Sequence, residues 1–167
     1  QLVQAGIGEV VVVVGHQATD VIPHIRVQDQ SPAVHIVENP DYHLGKTTSI
    51  TAGLRALRAK AKGFMVFAVD QPRSSDLLRT LVENHLKGDH LISVPEYKGK
   101  HGHPPVFNNA LMSELLSISE DQHGLRAVIE AHRDLIKGVA VDSPLALTNL
   151  NTQEDYEQAK MLRNFDS

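Results

Sequence analysis

Asp70 stands where an apolar run ends: Phe64-Met-Val-Phe-Ala-Val69 precedes it, and Gln71-Pro72 commits the backbone to a turn. A carboxylate projecting from the rim of a sheet suits a hard divalent cation such as Mg²⁺. Such an ion takes one or two carboxylates and completes its shell with substrate phosphate oxygens. The competing chemistry is local, because Asp before Pro-x-Ser also builds an Asx-turn or caps a helix. A second candidate is Asn39-Pro-Asp-Tyr-His-Leu-Gly-Lys-Thr-Thr-Ser49. It leads into a helical pattern whose free N–H groups would receive an anion, with Lys46 as a mobile countercharge. Gly45-Lys46-Thr47 resembles the end of a phosphate-binding loop, but Pro40 stands where that motif needs its first glycine. A capped surface helix is the alternative there.

Two further groups carry polar side chains at suggestive spacing. His101-x-His103 offers an imidazole pair for a metal, without a third ligand nearby in sequence, and the other eight of the ten histidines are scattered. The same stretch, Gly99 to Phe107, sets Gly99 and Gly102 beside the pair Pro104-Pro105, a rigid turn that brings backbone against a ligand or against the sheet edge. Asn149 and Asn151 lie on one side of an extended segment, so both amides face one pocket unless caps and turns consume them. No GxSxG, HExxH or GxGxxG motif occurs, and the absence of cysteine removes thiolate nucleophiles, disulfides and Cys-built metal sites.

The elements that must position these residues alternate. Apolar, β-branched runs predict strands at Glu9–Val14, Ala33–Val37, Phe64–Val69, His90–Val94 and Lys137–Val141, with a short strand or edge segment at Pro105–Phe107. Glu9–Val14 and Phe64–Val69 read as strands buried on both faces. Helical spacing covers Thr48–Ala61, with N-capping hydroxyls at Thr47, Thr48 and Ser49 and Gly63 as its close. It also covers a stretch from Ser74 or Ser75 to Lys87, closed by Gly88, with Leu77, Leu78, Leu81, Val82 and Leu86 inward. Shorter helices are expected at Ala18–Ile25, Ala110–Leu116 and Leu125–His132, and Glu96–His103 reads as a polar loop. Thr152-Gln-Glu-Asp155 is a capping-box variant opening a helix from Glu154 to about Asn164, with Tyr156, Ala159 and Leu162 inward. Strands alternating with helices predict a mostly parallel α/β sheet with helices on both faces, whose ligands sit beyond the carboxyl ends of the strands.

Composition bounds the rest. With 167 residues, 41% apolar and 22% charged, the chain suits a single domain spanning 1–167. Sixteen basic against twenty acidic residues leave a net charge of −4, which disfavours a nucleic-acid partner. The longest purely apolar runs fall well short of the about 20 residues a membrane-spanning helix needs. No membrane role follows, and the missing cysteines agree with a cytoplasmic location.

Taken in order, several segments resemble one family. They are Asn39-Pro-Asp-Tyr with Gly45 and Ser49-Ile-Thr-Ala-Gly-Leu54, then Val69-Asp-Gln-Pro72, Gly102-His-Pro with Val106-Phe107, Gly124-Leu-Arg126, and Asn149-Leu-Asn-Thr-Gln-Glu-Asp155. The family is the molybdenum cofactor nucleotidyltransferases, with their MobA-like NTP transferase domain, within the nucleotide-diphospho-sugar transferase fold. The resemblance spans nearly the whole chain and implies a three-layer α/β/α, Rossmann-like architecture. Asp-Gln-Pro, Gly-His-Pro and the Asp121–Arg126 loop resemble the cytidylyl branch, whereas Asn149-x-Asn151-Thr resembles the guanylyl branch, so CTP and GTP both stand as donors.

By that resemblance, Asp70 holds Mg²⁺ at the triphosphate, and Asn149 and Asn151 stand near the metal or the attacking phosphate. Asn39, Gly45 and Ser49 line the nucleotide and acceptor cleft together with Gln71 and Pro72, and Gly102, His103 and Pro104 shape the molybdopterin side. The implied reaction moves CMP or GMP from the nucleoside triphosphate to molybdopterin and releases pyrophosphate, in cofactor maturation for a client molybdoenzyme. The family opens with a strand and a glycine-rich loop of the Leu-Ala-Gly-Gly type that holds the triphosphate. Gln1–Ile7 resembles the end of the helix after that loop, so a strand–loop–helix unit of about 30 residues is expected to be missing ahead of it. Without that unit the chain is expected to be inactive by itself. The alternatives are a sugar-phosphate nucleotidyltransferase and a non-catalytic accessory module that binds cofactor or client.

Overall fold

The computed structural model describes residues 2, 4–25, 34–58 and 60–165, with side chains through residue 161. Contacts cluster into two compact units, one of residues 7–61 and 110–133, the other of residues 1–6, 62–109 and 134–167. The expected strand and helix residues Ala33 and Ala59, and the side chain of Leu162, lie outside the described set.

In the first unit, a run of five valines forms β1, Val10–Val14, paired in parallel with β2, Val34–Glu38, from Val10 opposite Val34 to Val14 opposite Glu38. Between them lie α1, Ala18–Val21, and a 3₁₀ turn at Ile22–His24. The helix α2, Lys46–Ala56, packs on both strands. Gly53 permits the approach, since a Cβ there would meet Val13 Cγ2 at 3.1 Å. Of β1 only Val14 is fully buried, so the expectation of burial on both faces does not hold. α2 also stops five residues short of Ala61. Leu57 turns extended (φ −59°, ψ 130°), and the Arg58 N–H is taken by the Glu9 carboxylate at 3.0 and 3.2 Å, which ends the helical ladder. The unit is completed by α4, Met112–Leu115, packed on α5, Leu125–Ala131.

The second unit is built on five strands: β3, Gly63–Met65; β4, Ile92–Tyr97; β5, Lys100–His101; β6, Val106–Asn108; and β7, Ile136–Ala140. Their order is β3-β6-β4-β5, with β7 along β4. β7 runs parallel to β4, whereas β6 runs antiparallel to both β3 and β4. The α/β class is as expected, and the sheet is mixed for a physical reason. The chain between β4 and β6 is too short for a helical crossover and returns through a hairpin. Lys98 (φ 50°) and Gly99 (φ 74°) form the hairpin's left-handed corner, so the expected loop at Glu96–His103 is largely the β4–β5 ribbon.

Leu81 of α3, Ser75–Lys87, packs with Val106, Val139 and Met65, and Phe64 stacks on Phe107 with ring centroids 5.8 Å apart. Ser74 caps α3, its hydroxyl accepting from the Leu77 N–H at 3.2 Å, as its sequence position predicts. α6, Gln153–Phe165, opens on the predicted capping box. Thr152 Oγ1 accepts from the Asp155 N–H at 3.1 Å, and Asp155 Oδ2 accepts from the Thr152 N–H at 2.9 Å. Leu86 and Tyr156 are exposed rather than inward, while Ala159 is buried. Gly63 opens β3 instead of closing a helix. β3 itself stops at Met65, because its partner β6 is three residues long. Val69, read as strand, is 97% exposed. None of the described helices is long and apolar enough to cross a membrane.

Candidate functional site

β3 and β4 end, and β6 begins, at the same edge of the five-stranded sheet, and β7 runs with β4. That edge gathers the turn after β3, the Gly102–Pro104 turn before β6, and the segment following β7. Residues 68–71 form a turn closed by the Gln71 N–H donating to the Ala68 carbonyl at 3.2 Å, with Asp70 exposed within it. The Leu150 N–H donates to the Asp70 carbonyl at 2.8 Å, which places Asn149 and Asn151 on either side of the residue that touches the Asp70 turn. Thus the structure brings Asp70, Gln71 and Pro72 together with the Asn149–Asn151 segment.

The polar side chains at this edge are unspent. Ser74 and not Asp70 caps α3, so the helix-cap reading of Asp70 is excluded, and among the described residues its carboxylate has no hydrogen bond or ion pair. The amides of Asn149 and Asn151 are exposed and likewise cap nothing, since Thr152 and Asp155 cap α6. An exposed carboxylate without a hydrogen bond or ion pair among the described residues fits a divalent cation that brings its own phosphate ligands. Among the described residues no three His, Asp or Glu side chains are grouped to hold a metal by themselves. The His101-x-His103 pair does not form a chelate. His101 Nε2 lies 3.4 Å from Glu96 Oε2 across the hairpin, whereas His103 contributes its main chain to the turn.

Arg73, which spacing gave no reason to single out, is 1% exposed. Its Nε donates to the His103 carbonyl at 2.7 Å; Nη1 donates to the carbonyls of Pro72 and Thr148, each at 2.8 Å; and Nη2 donates to the Ala146 carbonyl at 3.2 Å. Burial lowers its pKa to about 10, with the nearby Asp70 charge acting the other way, so the guanidinium is charged at neutral pH. His103 is held below the ordinary imidazole range by desolvation and by the Arg73 charge, again opposed by Asp70. Gly102 has to be glycine: a Cβ would meet the Ala146 carbonyl oxygen and lie 2.8 Å from its carbon. The Gly102 N–H donates to the Pro95 carbonyl at 2.7 Å and the His103 N–H to that of Ala146 at 3.1 Å, and the His103–Pro104 bond is cis.

In the other unit, Asn39 is 4% exposed and its Nδ2 donates to Thr48 Oγ1 at 2.9 Å and Ser49 Oγ at 3.0 Å, while Oδ1 accepts from the Asp41 N–H at 3.1 Å. Asn39 and Ser49 therefore meet, as a clasp between the 39–45 loop and α2. Beside this clasp runs a cleft of about 460 Å³ lined by Glu38, Asp41, Thr51 and Arg55 among others. The α2 hydroxyls do not cap the helix. Gly45 (φ 118°, ψ 174°) is its N-cap, and Thr48 Oγ1 donates to the Gly45 carbonyl at 2.8 Å. The Thr47 N–H, expected to meet an anion, donates to the carboxylate of Glu120 at 2.8 Å. Glu120 also lies over Gly45, where a Cβ would collide with its side chain. The anion at this helix start is thus supplied from 73 residues downstream, a link no local signal reveals.

A mixed α/β framework with an unengaged carboxylate and two unengaged amides at one strand edge has the layout of a Rossmann-like, phosphate-handling domain. The chain belongs to the MobA-like NTP transferase domain family, whose model matches residues 1–135. A relative from Rubrobacter xylanophilus, the bifunctional IPC transferase and DIPP synthase, is 37% identical over 87 residues, which is 52% of this chain and 18% of that protein. The chain thus spans less than a fifth of that relative. Among solved structures, a nucleotidyl transferase from Methanothermobacter superposes with a TM-score of 0.76 at 24% identity, covering 98% of this chain and 77% of that one. The manganese complex of Rv0371c from Mycobacterium tuberculosis H37Rv does so with a TM-score of 0.69 at 23% identity, covering 93% and 79%. At these identities the two likenesses show the fold alone.

Proposed function

We propose that this chain serves a Mg²⁺- or Mn²⁺-dependent nucleotidyltransferase, moving CMP or GMP from a nucleoside triphosphate to the terminal phosphate of molybdopterin in the cytoplasm. The observation that carries the reading is the exposed Asp70 carboxylate, without a hydrogen bond or ion pair among the described residues, on a turn whose Asp70 main-chain carbonyl accepts from the Leu150 N–H of the Asn149–Asn151 segment. An acceptor phosphate oxygen attacks the α-phosphorus, a new P–O bond forms, the bond to the β-phosphate bridge breaks, and pyrophosphate leaves. Asp70 would hold the divalent cation, which when bound would neutralise charge on the triphosphate. Asn149 and Asn151 orient phosphate oxygens through their amides, Gln71 and Pro72 fix the turn beside them, and Gly102, His103 and Pro104 form the acceptor side. In the other unit, Asn39, Gly45 and Ser49 are the residues to which the family resemblance assigns the nucleotide cleft. The protein's work is positioning and neutralisation rather than covalent chemistry. The manganese in the mycobacterial neighbour supports a divalent ion in general.

A second reading concerns the acceptor. The name of the Rubrobacter relative contains no pterin, which favours transfer to an acceptor of an IPC or DIPP step. The test is pyrophosphate release from CTP and from GTP with each acceptor class. Asp70→Asn is expected to lower divalent-dependent turnover by at least about 100-fold while leaving the melting transition in place. Retained turnover in that variant would refute the metal role.

A further inference from the structure

The Arg73 guanidinium touches four carbonyls on three separate stretches: Pro72 beside the Asp70 turn, His103 in the Gly-His-Pro turn, and Ala146 with Thr148 in the segment that leads to Asn149. We propose that Arg73 is the positioning residue of the transfer site, its planar fork setting where Asp70, His103 and the Asn149–Asn151 amides stand relative to one another. This rests on the reading of Asp70 as the metal-holding carboxylate.

The geometry needs arginine. Nε points at one stretch while Nη1 and Nη2 point at the others, and the donors lie in one rigid plane. A lysine ammonium carries three donors on a single atom and cannot span the same carbonyls at once. The hydrogen-bonded partners are all main chain, so the guanidinium fixes backbone positions, while its charge also acts on the nearby Asp70 carboxylate. Turns of this kind have carbonyls that no sheet ladder or helix satisfies, and a buried carbonyl must find a donor somewhere. Here one side chain supplies it for three turns, and the turns move together or not at all. Only two other bonds cross between these stretches among the described residues: His103 N–H to the Ala146 carbonyl, and Leu150 N–H to the Asp70 carbonyl. Arg73 itself, at 1% exposure, cannot reach substrate. It acts through Asp70 and the turns.

The experiment measures Mn²⁺ affinity by electron paramagnetic resonance, with CTP present, on wild type, Arg73→Lys, Arg73→Ala and Asp70→Asn. It is run well below each melting transition, with folding checked by circular dichroism. Folded Arg73→Lys and Arg73→Ala are expected to bind Mn²⁺ at least ten-fold more weakly, and millimolar ethylguanidinium is expected to restore the Ala variant. A residue that merely stabilises the fold would leave affinity unchanged once the protein is folded. Wild-type affinity in either folded Arg73 variant, together with loss in Asp70→Asn, overturns this inference alone. Wild-type affinity in Asp70→Asn overturns the metal reading and the inference with it. Should neither Arg73 variant fold, the wild-type Arg73 Nε–H resonance decides. It is expected to shift on adding Mg²⁺ and CTP and to stay fixed in Asp70→Asn, and an unmoved wild-type signal overturns the proposal.

Discussion

Replacing Gly45 by Ala and Glu120 by Ala, singly and together, tests how α2 is started. Glu120→Ala removes a charge-assisted hydrogen bond to the Thr47 N–H and a negative charge at a helix N-terminus. For a half-solvated pair this costs about 1 kcal/mol. Gly45→Ala forces a side chain into φ 118°, ψ 174°, a region that only glycine occupies comfortably, at about 2 kcal/mol. The new Cβ also collides with Glu120 and drives the carboxylate off the helix start, losing the same cap, so the single variant should cost about 3 kcal/mol. The double variant keeps the backbone strain but loses the cap only once. It too should cost about 3 kcal/mol, and the cycle should close with a coupling of about 1 kcal/mol. Urea melts of the four proteins at pH 7.5 measure it. Additive effects, to within about 0.4 kcal/mol, would show that Glu120 does not rest on Gly45, and the account of α2 initiation would fail.

Stability should also depend on acid pH. Burial, with the His90 charge adding to it, lowers the pKa of His85, whose Nδ1 sits 2.8 Å from Ser93 Oγ, and His103 is lowered by burial and by Arg73. The unfolded chain takes up these protons first, so their contribution is complete above about pH 6.5 and is lost as pH falls below it. Urea melts from pH 7.5 to 5 should show stability falling as pH drops below about 6.5, with the fall reduced in His85→Gln; an unchanged slope in that variant refutes the assignment. Gly102→Ala puts a Cβ against the Ala146 carbonyl, a backbone atom that cannot step aside. It should destabilise the protein by about 2–3 kcal/mol and raise the divalent-metal requirement of turnover. A fully stable variant would contradict the packing of these two turns.

The features legible in the sequence are those whose causes lie within a few residues. Ser74 and Thr152 cap helices because an N-cap bond spans three residues, and the valines of β1 make a strand wherever a partner is available. Misreadings begin where a second segment decides. Phe64–Val69 has the composition of a six-residue strand, yet β6 offers three residues to pair with, and Val69 ends in solvent. The Thr48–Ala61 pattern is helical throughout, yet Glu9, 49 residues upstream, takes the Arg58 N–H and ends the helix at Ala56. Leu86 and Tyr156 satisfy helical spacing but stand exposed, the Tyr156 ring meeting only the Lys160 ammonium of its own helix at 4.6 Å among the described residues.

The candidate site divides along the same line. Asp70, Gly102 and the Asn149–Asn151 pair stand out as residue types at turns, and they do meet at one sheet edge. Arg73 and Glu120, which organise the two loop systems, are invisible because, Pro72 apart, the partners of Arg73 lie 30 to 75 residues away and that of Glu120 lies 73 away. A charged residue between Pro72 and a capped helix reads as a solvated surface group, since desolvating an arginine is unfavourable unless several acceptors are already in place. Those acceptors exist only once the turns have folded. The guanidinium is therefore buried as a consequence of the tertiary arrangement that it then holds, and no local pattern can announce it.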